Sequence, residues 1–423
     1  MSSVVTGLPP HPPEHVPSRR RRYLQRRIAV GSAVLVILAI VLYLPFSLLA
    51  PLGVAQRSVT PPPPLQAAAA QLAWPGFGAS AFGAVGYPDL LSVSGTEEAL
   101  PMASITKIIT AMVVLDAKPL AKGADGPEIV FSAADRALYS KYTALRGTVK
   151  PMPVGASMSQ HEVLQVALMA SANNYAEAIA DWAFGTEDAY VGATKTWLAE
   201  HGLSHTTVLE PTGINPANTS TATDLVALGK LAMGDPVIAD IVDTPTLTLP
   251  EVGTIKDTNQ LLGSDGVVGI KTGTLENVGS SLLFASKQKI GSSTVTIIGA
   301  VLGAPDHDTL YPAVSGLLRS IASGFHEITL ADKGQVFANY RTAWSATTSA
   351  KAVSGAKVLV WGNTPVSAAV SVADIRLVSR GEKAGVVTFT VGENQITVPL
   401  AFSASLVDPG AGWRLVHPFG LGD

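Results

Sequence analysis

Ser104-Ile105-Thr106-Lys107 sets a hydroxyl and an amine three residues apart. On a helix that spacing places both side chains on one face, one turn apart, where a lysine can take a proton from a serine. Two further strings follow in chain order, Ser171-Ala172-Asn173 and Lys271-Thr272-Gly273. A second hydroxyl can relay a proton to a leaving amine, and an amide can hold a substrate carbonyl. A lysine beside a hydroxyl supplies a fixed positive charge for a carboxylate, and a glycine lets another backbone come close. Taken together, the three strings describe acyl transfer to a serine.

That chemistry sets conditions. A lysine is a base only when neutral, so Lys107 must sit where burial or another cation lowers its pKa, and Ile108 and Ile109 beside it favour burial. A serine at a helix start also aims its backbone N–H at a reacting carbonyl, half of an oxyanion hole that the N–H of Thr274 would complete. Each string alone has a plainer reading: a surface Ser and Lys, a polar cap at a helix junction, a turn after a strand. Ser286-Lys287-Gln288-Lys289 and Ser354-Gly355-Ala356-Lys357 repeat the Ser-x-x-Lys spacing and are assigned no catalytic role.

The elements that must position these residues are legible as patterns. Ile105, Ile108, Ile109, Met112 and Val113 recur at a helical period downstream of Pro101, so Ser104 falls near a helix N-terminus. Residues 159–170 and 173–184 read as two helices with Ser171 to Asn173 at the junction. Val267 to Ile270 is a short β-branched run leading into Lys271, with Leu282 to Ala285 and Thr294 to Val301 as neighbouring strands and His307 to Ala322 as a closing helix. The fold class is α/β (α+β).

Composition narrows the rest. The 423 residues are 47% hydrophobic and only 14% charged, with a formal net charge of −3, so the chain carries no general basic field for nucleic acid. It has no cysteine, which removes disulfides, thiolate metal sites and a cysteine nucleophile. The eight histidines form no His-Glu-x-x-His string, and neither a metal site nor a cofactor is expected. Ile28 to Ala50 is uncharged and long enough to cross the bilayer as a helix. Arg19 to Arg22, Arg26 and Arg27 precede it, which places the N-terminus in the cytoplasm and the rest outside. A cleaved signal peptide, with processing near Gly53-Val54-Ala55, is the competing reading, but the leader and the apolar stretch exceed signal dimensions.

The expected organisation is a disordered cytoplasmic tail (1–27), a transmembrane helix (28–50), a Pro/Ala-rich linker (51–73), a catalytic domain (74–325), a connector (326–346) and a small all-β domain (347–423). No amphipathic C-terminal helix is evident after Trp413.

The three strings in this order resemble the signature of penicillin-binding proteins and serine β-lactamases. The chain is most similar to the low-molecular-weight penicillin-binding proteins, the D-alanyl-D-alanine carboxypeptidases. Pro101 to Ile108 looks like their nucleophile segment, Ser220-Thr221-Ala222-Thr223-Asp224-Leu225 like a later helix start, and Gly381 to Val386 like part of their β stalk. The resemblance implies a transpeptidase-like catalytic domain. In it Ser104 is the acylated nucleophile and Lys107 its base, Ser171 and Asn173 serve as relay and substrate positioner, and Lys271, Thr272, Gly273 and Thr274 bind substrate. It also implies a substrate, the D-Ala-D-Ala end of a peptidoglycan stem peptide, and covalent capture by β-lactams. Two alternatives stand beside it. A class A-type β-lactamase would need a water-activating glutamate, for which Glu210 is the candidate, and an inactive cell-wall scaffold would keep the fold alone.

Overall fold

The computed structural model describes residues 19–65 and 68–418. Among these, one compact unit takes in 68–328 and 358–365, and a second takes in 19–65, 329–357 and 366–418.

The first unit is built on one antiparallel sheet of five strands: β1 (Ala79–Ala84), β2 (Tyr87–Gly95), β3 (Val267–Leu275), β4 (Gly279–Ile290) and β5 (Ser293–Ala304), in the order β3-β4-β5-β1-β2. Successive side chains of a strand point to opposite faces, and in β1 and the middles of β4 and β5 both faces are buried, which is why these stretches read as apolar runs, whereas β2 at the far edge is mostly exposed. Leu283 and Ala285 of β4, with Ile298 and Ala300 of β5, face a helical core. That core draws on α1 (Thr106–Ala117), α2 (Gln160–Met169), α3 (Asn173–Phe184) and α4 (Ala222–Gly234). Leu282 and Phe284 face the other way, against Leu310, Val314 and Leu317 of α5 (His307–Ser323). The middle of the sheet is therefore covered on both sides, and its edge strand β3 carries the third string. The class is mixed α/β, as the sequence pattern implies.

Local signals fix the site-bearing ends. Ser159 caps α2 through a reciprocal box, accepting from the Glu162 N–H at 3.2 Å while its own N–H donates to Glu162 Oε2 at 2.8 Å. α2 stops at Met169, and Ser171 takes a left-handed φ of 54° before α3 begins at Asn173.

In the second unit, a helix of 31 residues, Arg19–Leu49, is long and apolar enough to cross a membrane. A six-stranded antiparallel sheet follows the order Gln56–Val59, Val336–Arg341, Thr347–Ala352, Asn394–Phe402, Lys383–Val391, Val366–Val372.

Several expected boundaries shift. The helix begins at Arg19, so part of the expected tail is helical; arginine is a good helix former and simply extends the span. Residues 1–18 of that tail lie outside the described residues. Gln56–Val59, within the expected linker, is a strand, paired with Val336–Arg341 from the expected connector. Such pairing between distant segments has no local signature. Residues 358–365 cluster with the first unit. A short helix, Ala411–Val416, is present near the C-terminal end, and Arg414 donates to the carbonyls of Leu48 and Ala50 at 3.1 and 2.7 Å, satisfying orphan acceptors at the end of the long helix.

Candidate active site

Ser104 sits in a single 3-10 turn, Ala103–Ile105, that runs directly into α1. Ala103 has φ 49°, a left-handed conformation that costs a non-glycine residue about 1–3 kcal/mol and persists where the surroundings over-determine it. Here the edge strand presses against the turn. A Cβ on Gly273 of β3 would lie 2.6 Å from the Met102 carbonyl oxygen, so only glycine lets this strand reach the serine turn.

Lys107 follows one turn later with 1% of its surface exposed. Its Nζ is 2.9 Å from Ser104 Oγ, 2.6 Å from Asn173 Oδ1 and 2.6 Å from the Thr212 carbonyl oxygen. Burial pushes its pKa well below the usual lysine value; the charge of Lys271 pushes the same way, and Glu210 opposes both. A neutral amine has two N–H bonds and one lone pair. Asn173 Oδ1 and the Thr212 carbonyl can only accept, so they take the two N–H bonds and leave the lone pair for the hydroxyl of Ser104.

Asn173 is the first residue of α3, yet it does not cap it. The capping position is Ala172, with no side-chain cap, and the Asn173 side chain turns to Lys107 instead. Ser171 is buried beside it, but its hydroxyl is not among the three partners of Lys107.

Lys271 is not at a turn, since β3 continues to Leu275, and it too is 1% exposed. It donates to Thr258 Oγ1 at 3.2 Å, and Thr258 Oγ1 is 2.7 Å from Thr272 Oγ1. Burial lowers its pKa to about 8 against the charge of Asp257. Burial likewise raises Asp257 to about 6, with Lys271 opposing. Thr274 Oγ1 is 2.8 Å from His307 Nε2.

Ser104, Asn173 and Thr274 border one cleft of about 350 Å³, lined also by Gly147 and Ile214. Lys107, Ser171 and Lys271 are buried and do not line it. Arg146 and Glu276, which also line the cleft, form an exposed ion pair at 3.2 Å.

Glu210 is buried with both oxygens engaged. Oε2 accepts from Thr212 N–H and Oγ1 at 2.8 and 2.7 Å; Oε1 accepts from Gly213 N–H at 2.6 Å, Asn215 N–H at 3.3 Å and Asn218 Nδ2 at 2.9 Å. The carboxylate shapes the loop that presents the Thr212 carbonyl to Lys107. Sequence reading missed Thr212 and Thr258, because one acts through its backbone and the other through a single hydroxyl. His307 was read only as the start of a helix.

A serine in hydrogen-bond reach of a buried lysine, against the edge strand of an antiparallel sheet that carries a second buried lysine, is the arrangement of the penicillin-binding serine peptidases. The chain belongs to the peptidase S11 family, D-alanyl-D-alanine carboxypeptidase, whose model matches residues 90–306, a little over half of its length. It is 31% identical over 234 residues to a D-alanyl-D-alanine endopeptidase of Pseudomonas aeruginosa, covering 53% of this chain and 70% of that protein. It is 30% identical over 220 residues to the D-alanyl-D-alanine carboxypeptidase DacC of Escherichia coli, covering 51% of this chain and 53% of that one. Penicillin-binding protein 5 of Haemophilus influenzae shares the fold at a TM-score of 0.54 and 18% identity, over 83% of this chain and 100% of that chain.

Proposed function

We propose that this chain is a serine-type D-alanyl-D-alanine carboxypeptidase that removes the terminal D-Ala of peptidoglycan stem pentapeptides through an acyl-enzyme, and that β-lactams acylate the same serine. The observation that carries this reading is the 2.9 Å approach of a buried, pKa-depressed Lys107 to Ser104 Oγ. In this mechanism the lone pair of Lys107 takes the Ser104 proton as Oγ attacks the carbonyl carbon of the penultimate D-Ala. The N–H groups of Ser104 and Thr274 hold the oxyanion, and Asn173 positions the substrate. The proton passes through Ser171 to the departing amine nitrogen, the C–N bond breaks and D-Ala leaves. Water then attacks the ester, giving the shortened peptide and free Ser104. Lys271, Thr272 and the Thr274 hydroxyl hold the terminal carboxylate of the substrate, with Gly273 admitting the strand to the site.

The saturated carboxylate of Glu210 argues against a β-lactamase that activates water through it. The apolar helix Arg19–Leu49 anchors the chain, and the arginines at its start favour a cytoplasmic N-terminus with the catalytic unit outside. The test is mass analysis of products from a pentapeptide ending in D-Ala-D-Ala, with the Ser104→Ala variant and a penicillin adduct mapped in parallel. Release of one D-Ala, abolished by Ser104→Ala, and an adduct on Ser104 are expected. Release that survives Ser104→Ala, or no release at all, overturns the reading.

A further inference from the structure

We propose that His307 is a positioning residue that sets the direction of the Thr274 hydroxyl, making it a donor toward the terminal carboxylate of the substrate; this rests on the reading that Thr274 helps to hold that carboxylate. His307 Nε2 is 2.8 Å from Thr274 Oγ1, and its other ring nitrogen, Nδ1, is buried with no hydrogen-bond partner among the described residues. A hydroxyl has one proton and two lone pairs, so what its neighbour takes decides what it can give. If Nε2 carries the imidazole proton, it donates to a lone pair of Oγ1, and the single hydroxyl proton stays free for the cleft that Thr274 lines. If Nδ1 carries it, the bare Nε2 takes the hydroxyl proton, and the cleft meets only lone pairs, which repel a carboxylate.

The surroundings of Nδ1 decide between the two. Protonated, it is a buried N–H without an acceptor, a rare and costly state; unprotonated, it is an under-satisfied acceptor, which proteins tolerate better. The hydrogen-bond pattern thus assigns the proton to Nε2, and an imidazolium would direct the hydroxyl the same way.

The ring is also held in place. It stacks on Tyr311 with centroids 5.1 Å apart and planes inclined by 25°. The Tyr311 hydroxyl donates to the Thr258 carbonyl at 3.3 Å, and Thr258 bonds both Lys271 and Thr272. His307 and Tyr311, one turn apart on α5, thereby join Thr274 to the other two members of the carboxylate-binding group.

The experiment uses the full chain in detergent and two peptides that differ only at the C-terminus, a free D-Ala carboxylate and its methyl ester. His307→Phe keeps a ring against Tyr311 and loses the donor; His307→Gln keeps a side-chain N–H. Without the donor the Thr274 hydroxyl keeps its proton but is no longer held toward the carboxylate, so KM for the acid should rise about two- to ten-fold in His307→Phe, with kcat little changed and the ester unaffected. His307→Gln should recover most of the loss. Equal effects on acid and ester, or an unmoved KM for the acid in His307→Phe while Thr274→Val raises it, overturn the role of His307. An unmoved KM in Thr274→Val overturns the carboxylate reading of Thr274 itself. Should His307→Phe fail to fold, imidazole 15N spectra of the unmodified protein decide: a proton on Nε2 is expected, and a neutral ring protonated at Nδ1 overturns the proposal.

Discussion

Lys107 and Lys271 are both buried in one site, and the charge of Lys271 pushes the pKa of Lys107 further down than burial alone would. The proposed mechanism needs the two lysines in different charge states. In it Lys107 is neutral to take a proton and Lys271 cationic to hold a carboxylate, and the second helps create the first.

This fixes the pH dependence. Lys107, depressed below the ordinary lysine range, becomes a base as pH rises through its pKa, so acylation gains on that limb. Lys271 loses its charge as pH rises through about 8, so affinity for a carboxylate-ended peptide falls there. A bell-shaped profile of kcat/KM is expected, with its falling limb near pH 8. The falling limb of kcat should lie higher, because bound carboxylate stabilises the lysine cation. A falling limb that is identical for the methyl ester substrate would detach it from Lys271.

Asn173→Ala removes one of the two acceptors that orient the lone pair of Lys107. Acylation by a fluorescent penicillin should slow roughly a hundred-fold with the fold intact, since a small misplacement of a reacting group costs that much. Lys107→Ala should cost about a hundred- to ten-thousand-fold, the usual contribution of a general base. Stopped-flow acylation rates with circular dichroism as a fold control check both.

Glu210→Ala strips the acceptor from Thr212, Gly213 and Asn218. Unmade buried hydrogen bonds cost about 1–3 kcal/mol, a fall in Tm of roughly 3–10 °C. The penicilloyl-enzyme should decay at its normal rate. A long-lived adduct in Glu210→Gln would instead point to a deacylating glutamate.

Gly273→Ala brings a methyl group against the Met102 carbonyl oxygen, forcing β3 back from the serine turn. Penicillin acylation should fall about a hundred-fold, more than any loss of Tm would explain. Rate and melting point measured on the same sample separate the two.

Much of this site was legible because its residues lie in short strings on regular elements. The apolar period after Ser104 put Lys107 on the serine's side of α1, and the β-branched run before Lys271 put that lysine on a strand. The fold class followed from the same periods. What stayed hidden works through space: the Thr212 carbonyl has no side-chain signature, Glu210 reads as reactive until its five donors are seen, and His307 becomes notable only opposite Thr274. Gln56–Val59 was hidden for the same reason, its partner being nearly three hundred residues away.

That last pairing bears on how the polypeptide is made. The strand directly after the long helix finds its first partner only when Val336–Arg341 has been synthesised, and the six-stranded sheet closes only with Asn394–Phe402. The catalytic unit, encoded almost entirely in between, has all five strands of its sheet sooner and can condense first. Until Asn394–Phe402 is made, the emerging chain carries an unpaired β edge at Thr347–Ala352, open to proteases and to stray strand addition. A stop codon before Asn394 would leave that edge permanently bare, producing a chain whose first compact unit is whole but whose lifetime in the cell is short.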